Sequence, residues 1–261
     1  MDTFILEWFF YTLTVLSIGS YSAAFISRWP MKHAYLWEKE AHDFLSLPFN
    51  KLPPVQISNT RSHCSHCEQI LRWQDLIPLI SYLLLKGKCH YCQKKISSHY
   101  PTIELLHLVF CLPLLWLYED VYQLTLQTVL VSALITAACI DVVHKLIPDE
   151  CSTIILVCGL LLHLLSNTVE NSVLGMLIGY SLIFTLRWLY LTFRKQEGIG
   201  LGDVKLIAAL GAWLGFSSLA PLLLCASLTG ILYTLLFNKD GSKHMAFGPF
   251  LILSGMLMFY L

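Results

Sequence analysis

The chain has 261 residues, of which 56% are hydrophobic and 13% charged, and its mean hydropathy is +0.63. Lys and Arg (17) balance Asp and Glu (17), so the net charge is zero and no nucleic acid or other polyanionic partner is implied. A water-soluble core does not account for so apolar a composition; runs of about 20 apolar residues crossing a lipid bilayer as helices do.

In chain order the expected spans are 4–27, 102–118, 121–142, 151–167, 171–193, 203–216, 218–237 and 246–261, giving an all-α polytopic membrane protein of eight helices. The first run, Trp8 to Ile26, lacks a basic leading segment and a small-residue cleavage pattern, so it reads as a retained helix. Three regions follow: 1–27, the first helix; 28–101, a long loop; and 102–261, the membrane domain. Orientation follows from the cations, because cytoplasmic loops hold the excess of positive charge. Ten lie between Arg28 and Lys95, and Lys145, Arg187, Arg194, Lys195, Lys205, Lys239 and Lys243 fall at alternate connections on that same side. The opposite connections, around Glu119 and Asp120 and around Glu170, have none. The long loop is therefore expected to be cytoplasmic and both termini to face outward.

Within that loop, Ala34 to Leu47 mixes Tyr35, Leu36, Trp37, Phe44 and Leu45 with Glu38, Lys39, Glu40 and Asp43 before Pro48, Pro53 and Pro54. The pattern predicts an amphipathic helix resting on the membrane surface. Next come Cys64 and Cys67, then twenty-one residues, then Cys89 and Cys92. Two CxxC pairs suit one tetrahedral zinc ion held by four thiolates, and a reducing compartment argues against disulfides. Four thiolates leave no open position, so one structural zinc per chain is expected. His63, His66 and His90 are alternative ligands, read as solvated neighbours. Cys111, Cys139, Cys151, Cys158 and Cys225 read as small buried apolar residues on the spans.

Acids beside apolar runs are expensive and worth naming singly. Asp141 ends the run that begins at Val121, and Asp203 opens another, after Gly200 and Gly202. Each has a plain structural explanation: Asp141 as a solvated boundary residue near Lys145, Asp203 as a helix-start acid favoured by the macrodipole. Asp149 reads as the cap of the following helix, and His144 lacks a second His with which to build a metal site. The combination is what points to chemistry, because it puts one acid at the same depth on each of two helix ends, one of them flanked by glycines. Two carboxylates about 5 Å apart repel by about 3 kcal/mol at an effective dielectric near 20, so one of them keeps a proton. The ionised member then serves as general base on water while the protonated one polarises a peptide carbonyl.

At this point the chain resembles the type IV prepilin peptidases, bifunctional leader peptidases and N-methyltransferases of bacterial pilus and type II secretion systems. The likeness runs through Gly19, Ser20, Arg28 and Pro30, the segment from Arg61 to Cys67, Ile77 to Leu79, and Lys86 to Cys92. It continues through Tyr100, Pro101 and Glu104, Asp141 with Ile147 to Asp149, Gly200 to Lys205, and Phe247 to Phe250. Ile140 before the first aspartate and the Gly248, Pro249, Phe250 stretch separate it from presenilin-type proteases, which resemble it less. The resemblance implies that Asp141 and Asp203 are catalytic, with Gly200, Gly202 and Lys205 supporting, and that they cut a basic leader from prepilins and pseudopilins. It places the enzyme in the bacterial inner membrane with its site at the cytoplasmic face. It further implies methylation of the new N-terminus from S-adenosylmethionine through the loop, with Gly87 and Lys88 as candidates. A peptidase without methyl transfer, and a non-enzymatic membrane scaffold whose zinc loop binds a partner, remain alternatives.

Overall fold

A computed structural model of the chain describes residues 2–53, 61–64, 66–196, 198–237 and 245–261, with side chains from residue 5. Pro54, Lys239 and Lys243 lie outside the described residues. Helices are the regular elements among the described residues, with two isolated β-bridges and no strands. Two compact units divide at Pro113 and Leu114.

The first unit is built on α1 (Asp2–Phe44) and α3 (His99–Cys111), joined by a loop that holds a 3-10 turn (Trp73–Leu76) and the five-residue α2 (Ile80–Leu84). α1 runs 43 residues without a break, so the surface helix expected over 34–47 is the far half of α1. Pro30 lies inside it and removes only one intrahelical bond. At 1.5 Å per residue α1 is about 65 Å long, twice the hydrocarbon thickness. It ends where Ser46 turns left-handed (φ 53°) and the Leu47 N–H reaches back to the His42 carbonyl. α1 and α3 are antiparallel: Tyr11 donates to the Cys111 carbonyl (3.0 Å), Gly19 abuts Glu104 and His107, and Tyr100 donates to Ser27 (3.4 Å). Glu104 is buried and accepts the Leu79 N–H (2.8 Å), fixing the loop at a residue in left-handed backbone (φ 57°).

The second unit holds α4 (Leu114–Leu117), α5 (Val121–His144), α6 (Asp149–Leu165), α7 (Val169–Arg194), α8 (Leu201–Leu214), α9 (Leu219–Phe237) and α10 (Gly248–Tyr260). Helices stand at all eight expected positions, but among the described residues five stretches are long and apolar enough to cross a membrane: Ile5–Phe44, His99–Leu117, Val121–His144, Val169–Arg194 and Phe216–Phe237. The other three, α6, α8 and α10, have 17, 14 and 13 residues.

Burial shows which helices lie inside. In α5, 67% of the most apolar 18 residues are buried, against 22–28% in the other four crossing stretches, so α5 is enclosed by protein. α8 is enclosed too, since Val204 and every residue from Leu206 to Trp213 are buried. Its close neighbours present glycine: Gly175 of α7 meets Gly211 backbone to backbone, leaving no room for a Cβ on either. A helix ending inside protein must have its last carbonyls satisfied there. Ser172 donates to the Ala212 carbonyl, His163 Nε2 donates to that of Trp213 (3.0 Å), and Ser218 donates to that of Leu214 (3.0 Å). Of the cysteines expected in the core, Cys111, Cys151 and Cys158 are buried and Cys139 is half-buried. Cys225 is exposed, because α9 turns Leu222, Ala226 and Gly230 inward and Cys225 lies off that face.

Candidate active site and metal centre

Asp141 sits in the last turn of α5, which closes at Lys145 in left-handed backbone (φ 55°). Asp203 sits in the first turn of α8, three residues after the N-cap Gly200, and accepts the Gly200 N–H. Asp141 is 4% exposed, accepts the Gly248 N–H from the start of α10, and lies within electrostatic reach of Asp203. Its Oδ2 is buried and has no hydrogen-bond partner among the described residues. A Cβ on Gly248 would stand 2.5 Å from that oxygen, so a side chain there would displace the carboxylate.

Three helix ends thus meet: the C-terminal turn of α5 and the N-termini of α8 and α10. The glycines Gly200 and Gly202 flank Asp203, as the sequence places them, with Gly202 against the Ile147 side chain. Lys205 turns away from the pair: its ammonium grips both Asp149 oxygens (2.7 and 2.8 Å) at the exposed start of α6. Asp149 is the first residue of α6 and not its cap, which is Pro148 with no side-chain cap bond, because its carboxylate is taken by Lys205; His144 is exposed. The contribution of Gly248 was invisible in the sequence; a Gly-Pro helix start announces N-terminal amides, but nothing local says which acid they face.

The other cluster lies in the first unit. Ligand atoms of Cys64, Cys67, Cys89 and Cys92 all fall within 4.8 Å of one another, and this is the one metal-competent group of three or more such residues among those described. Each CxxC builds the same knuckle. The Cys64 N–H bonds the Gln69 carbonyl and the Glu68 N–H bonds that of Cys64; the Cys89 N–H bonds the Lys94 carbonyl and the Gln93 N–H bonds that of Cys89. Glu68 and Gln93 both take left-handed backbone (φ 56° and 57°), and bridges His63–Ile70 and Lys88–Lys95 close the two turns. Burial raises the Cys64 thiol, but N–H groups from Cys67 and His66 and the neighbouring thiols draw it down to about 7. A metal ion fits this donor set: Cys64 and Cys92 sulfurs are 3.8 Å apart, the edge of a tetrahedron with metal–sulfur bonds of about 2.3 Å. His63 instead bonds the Arg61 carbonyl (3.0 Å). Gly87 precedes the second knuckle with φ 69°, packed on Tyr82, its N–H and carbonyl paired with Tyr82 and Ile96; Lys88 is exposed.

Comparison with known proteins gives a consistent picture across the chain. Residues 13–118 match the family model of the bacterial peptidase A24 N-terminal domain, and residues 128–235 match that of the type IV leader peptidase family. The chain is 37% identical over 258 residues to the type 4 prepilin-like proteins leader peptide-processing enzyme of Escherichia coli O78:H11, covering 96% of this chain and 92% of the relative. It is 38% identical over 251 residues to the prepilin leader peptidase/N-methyltransferase of Dickeya chrysanthemi (93% and 88%) and 36% identical over 249 residues to that of Neisseria gonorrhoeae (94% and 87%). No solved structure matches.

Proposed function

The chain belongs to the type IV leader peptidase family, and from that premise we propose that it cleaves the leader of type IV prepilins and pseudopilins and N-methylates the new N-terminus, with Asp141 and Asp203 as the catalytic pair. One arrangement carries the assignment: two acids on the two enclosed helices, brought to adjoining helix ends, with one buried carboxylate oxygen of Asp141 left unpaired. Buried polar atoms are almost always paired, so an exception at such a place marks a working group.

The ionised carboxylate takes a proton from water, whose oxygen attacks the scissile carbonyl carbon while the protonated carboxyl donates a hydrogen bond to the carbonyl oxygen. Collapse of the tetrahedral intermediate breaks the C–N bond, and the proton passes to the leaving amine. That amine is the new pilin N-terminus. S-adenosylmethionine, when bound, supplies a sulfonium-activated methyl group for it. Of the two candidate residues on the loop, Gly87 has both backbone groups engaged, which leaves the exposed Lys88 ammonium as the group able to meet a carboxylate of the donor.

The four cysteines hold one structural zinc, and residues 28–101 form the methyl-transfer region beside a peptidase domain of 102–261. Gly200 and Gly202 leave the approach to Asp203 open, and Lys205 steadies the start of α8 through Asp149. α6, α8 and α10 complete eight spans in the bacterial inner membrane, with the site and the loop on the cytoplasmic side, where the cations gather. The test is processing in membranes: Asp141→Ala and Asp203→Ala each abolish cleavage of a prepilin while expression and insertion stay normal, and normal cleavage by either variant refutes the assignment.

A further inference from the structure

One apolar side chain lies against a glycine at each of the two aspartates. Ile147, in the turn between α5 and α6, is half-buried, and it lies against two glycines at once. A Cβ on Gly202 would be 3.2 Å from Ile147 Cβ, 3.6 Å from Cγ1 and 3.7 Å from Cδ1; one on Gly248 would be 3.0 Å from Ile147 Cδ1. Gly202 immediately precedes Asp203, and Gly248 donates its N–H to Asp141. The N-termini of α8 and α10 therefore rest on one branched side chain and share its Cδ1, and each of those termini lies at one carboxylate.

We propose that Ile147 is a positioning residue for peptide cleavage, a spacer whose Cβ and Cγ1 seat the Asp203 end and whose Cδ1 stands between the two ends, so that its length sets the separation of the two carboxylates. The proposal rests on the assignment of Asp141 and Asp203 as the catalytic pair. The geometry singles out Ile147 over its neighbours: Val142 and Val143 are 62% and 63% exposed, and neither meets a glycine beside an acid. A β-branched residue suits the task, because two heavy atoms on Cβ restrict χ1 and keep the spacer stiff. Removing its outer atoms lets the two helix starts settle toward each other without removing any group that touches substrate.

The experiment is steady-state cleavage of a purified prepilin by the full-length protein and by Ile147→Val and Ile147→Ala, with methyl transfer to an already cleaved pilin measured in parallel. Misplacing a catalytic group by about 1 Å costs on the order of 100-fold in rate, so Ile147→Ala is expected to lower kcat by about that factor with KM unchanged. Ile147→Val keeps the two nearer Gly202 contacts and loses Cδ1, the atom that meets both glycines; its kcat is expected to fall by on the order of tenfold. Methyl transfer stays at the wild-type rate in both. Wild-type kcat in Ile147→Val overturns the proposal, as does a rise in KM at constant kcat or an equal loss of both activities. Asp141→Asn and Asp203→Asn, run beside them, separate the two claims. If those variants cleave normally the catalytic assignment is wrong; if they are inactive and Ile147→Ala cleaves normally, only the spacer is wrong.

Discussion

The two clusters of chemistry in this chain are built in opposite ways. The cysteine centre is a local structure made twice, each CxxC forming its own knuckle around a left-handed residue, Glu68 in one and Gln93 in the other. The aspartate centre has no repeat: one acid closes a helix, the other opens one, and a third helix start supplies the N–H that holds Asp141. A metal centre of the first kind is stabilised mainly by the ion it binds, a carboxylate centre of the second kind by packing between helices. The two should therefore fail under different insults.

The largest effect is expected at the cysteines. Structural zinc carries an apparent binding energy of about 10 to 16 kcal/mol in finger peptides, so Cys64→Ser with Cys89→Ser should unfold the knuckles, drop bound zinc from one per chain to none, and abolish methyl transfer. Metal analysis and a methylation assay check both. Acid acts in the same direction. The ligands bind as thiolates and protons compete with the metal for them, so metal retention should weaken as pH falls. Next comes Gly248→Ala, whose methyl group must displace the Asp141 carboxylate. Cleavage should fall by about 100-fold with zinc content unchanged, as read by a prepilin processing assay. The smallest effect belongs to the Lys205–Asp149 pair, whose side chains are 46% and 68% exposed. Lys205→Met should lower stability by less than about 1 kcal/mol and leave zinc untouched, as thermal unfolding in detergent would report.

The same contrast explains what the sequence could reveal. CxxC spacing is legible because both ligands of a knuckle lie within one turn of chain, so four residues suffice to specify half the centre. Asp141 and Asp203 were legible as acids at helix ends, since an acid beside an apolar run is costly and stands out. What joins them was not. The Gly248 N–H comes from 107 positions further along the chain than Asp141, the meeting of Gly175 with Gly211 leaves no mark beyond two ordinary glycines, and Ile147 looks like any apolar turn residue. The continuity of α1 escaped for another reason: Pro30 suggests a boundary, but one lost bond does not end a helix whose flanking residues favour it. Helices stand at the expected positions, and the lengths of α6 and α8, 17 and 14 residues, are those their apolar runs announce, short of an ordinary span.

The most direct test of the central claim, that the aspartate pair alone carries peptide cleavage, is incubation of the purified protein with a prepilin and a labelled methyl donor, comparing wild type with Asp203→Ala. The account predicts an uncleaved, unlabelled prepilin from the variant, and normal labelling once the variant is given pilin that has already been cleaved. Cleavage of the prepilin by Asp203→Ala at the wild-type rate would contradict it.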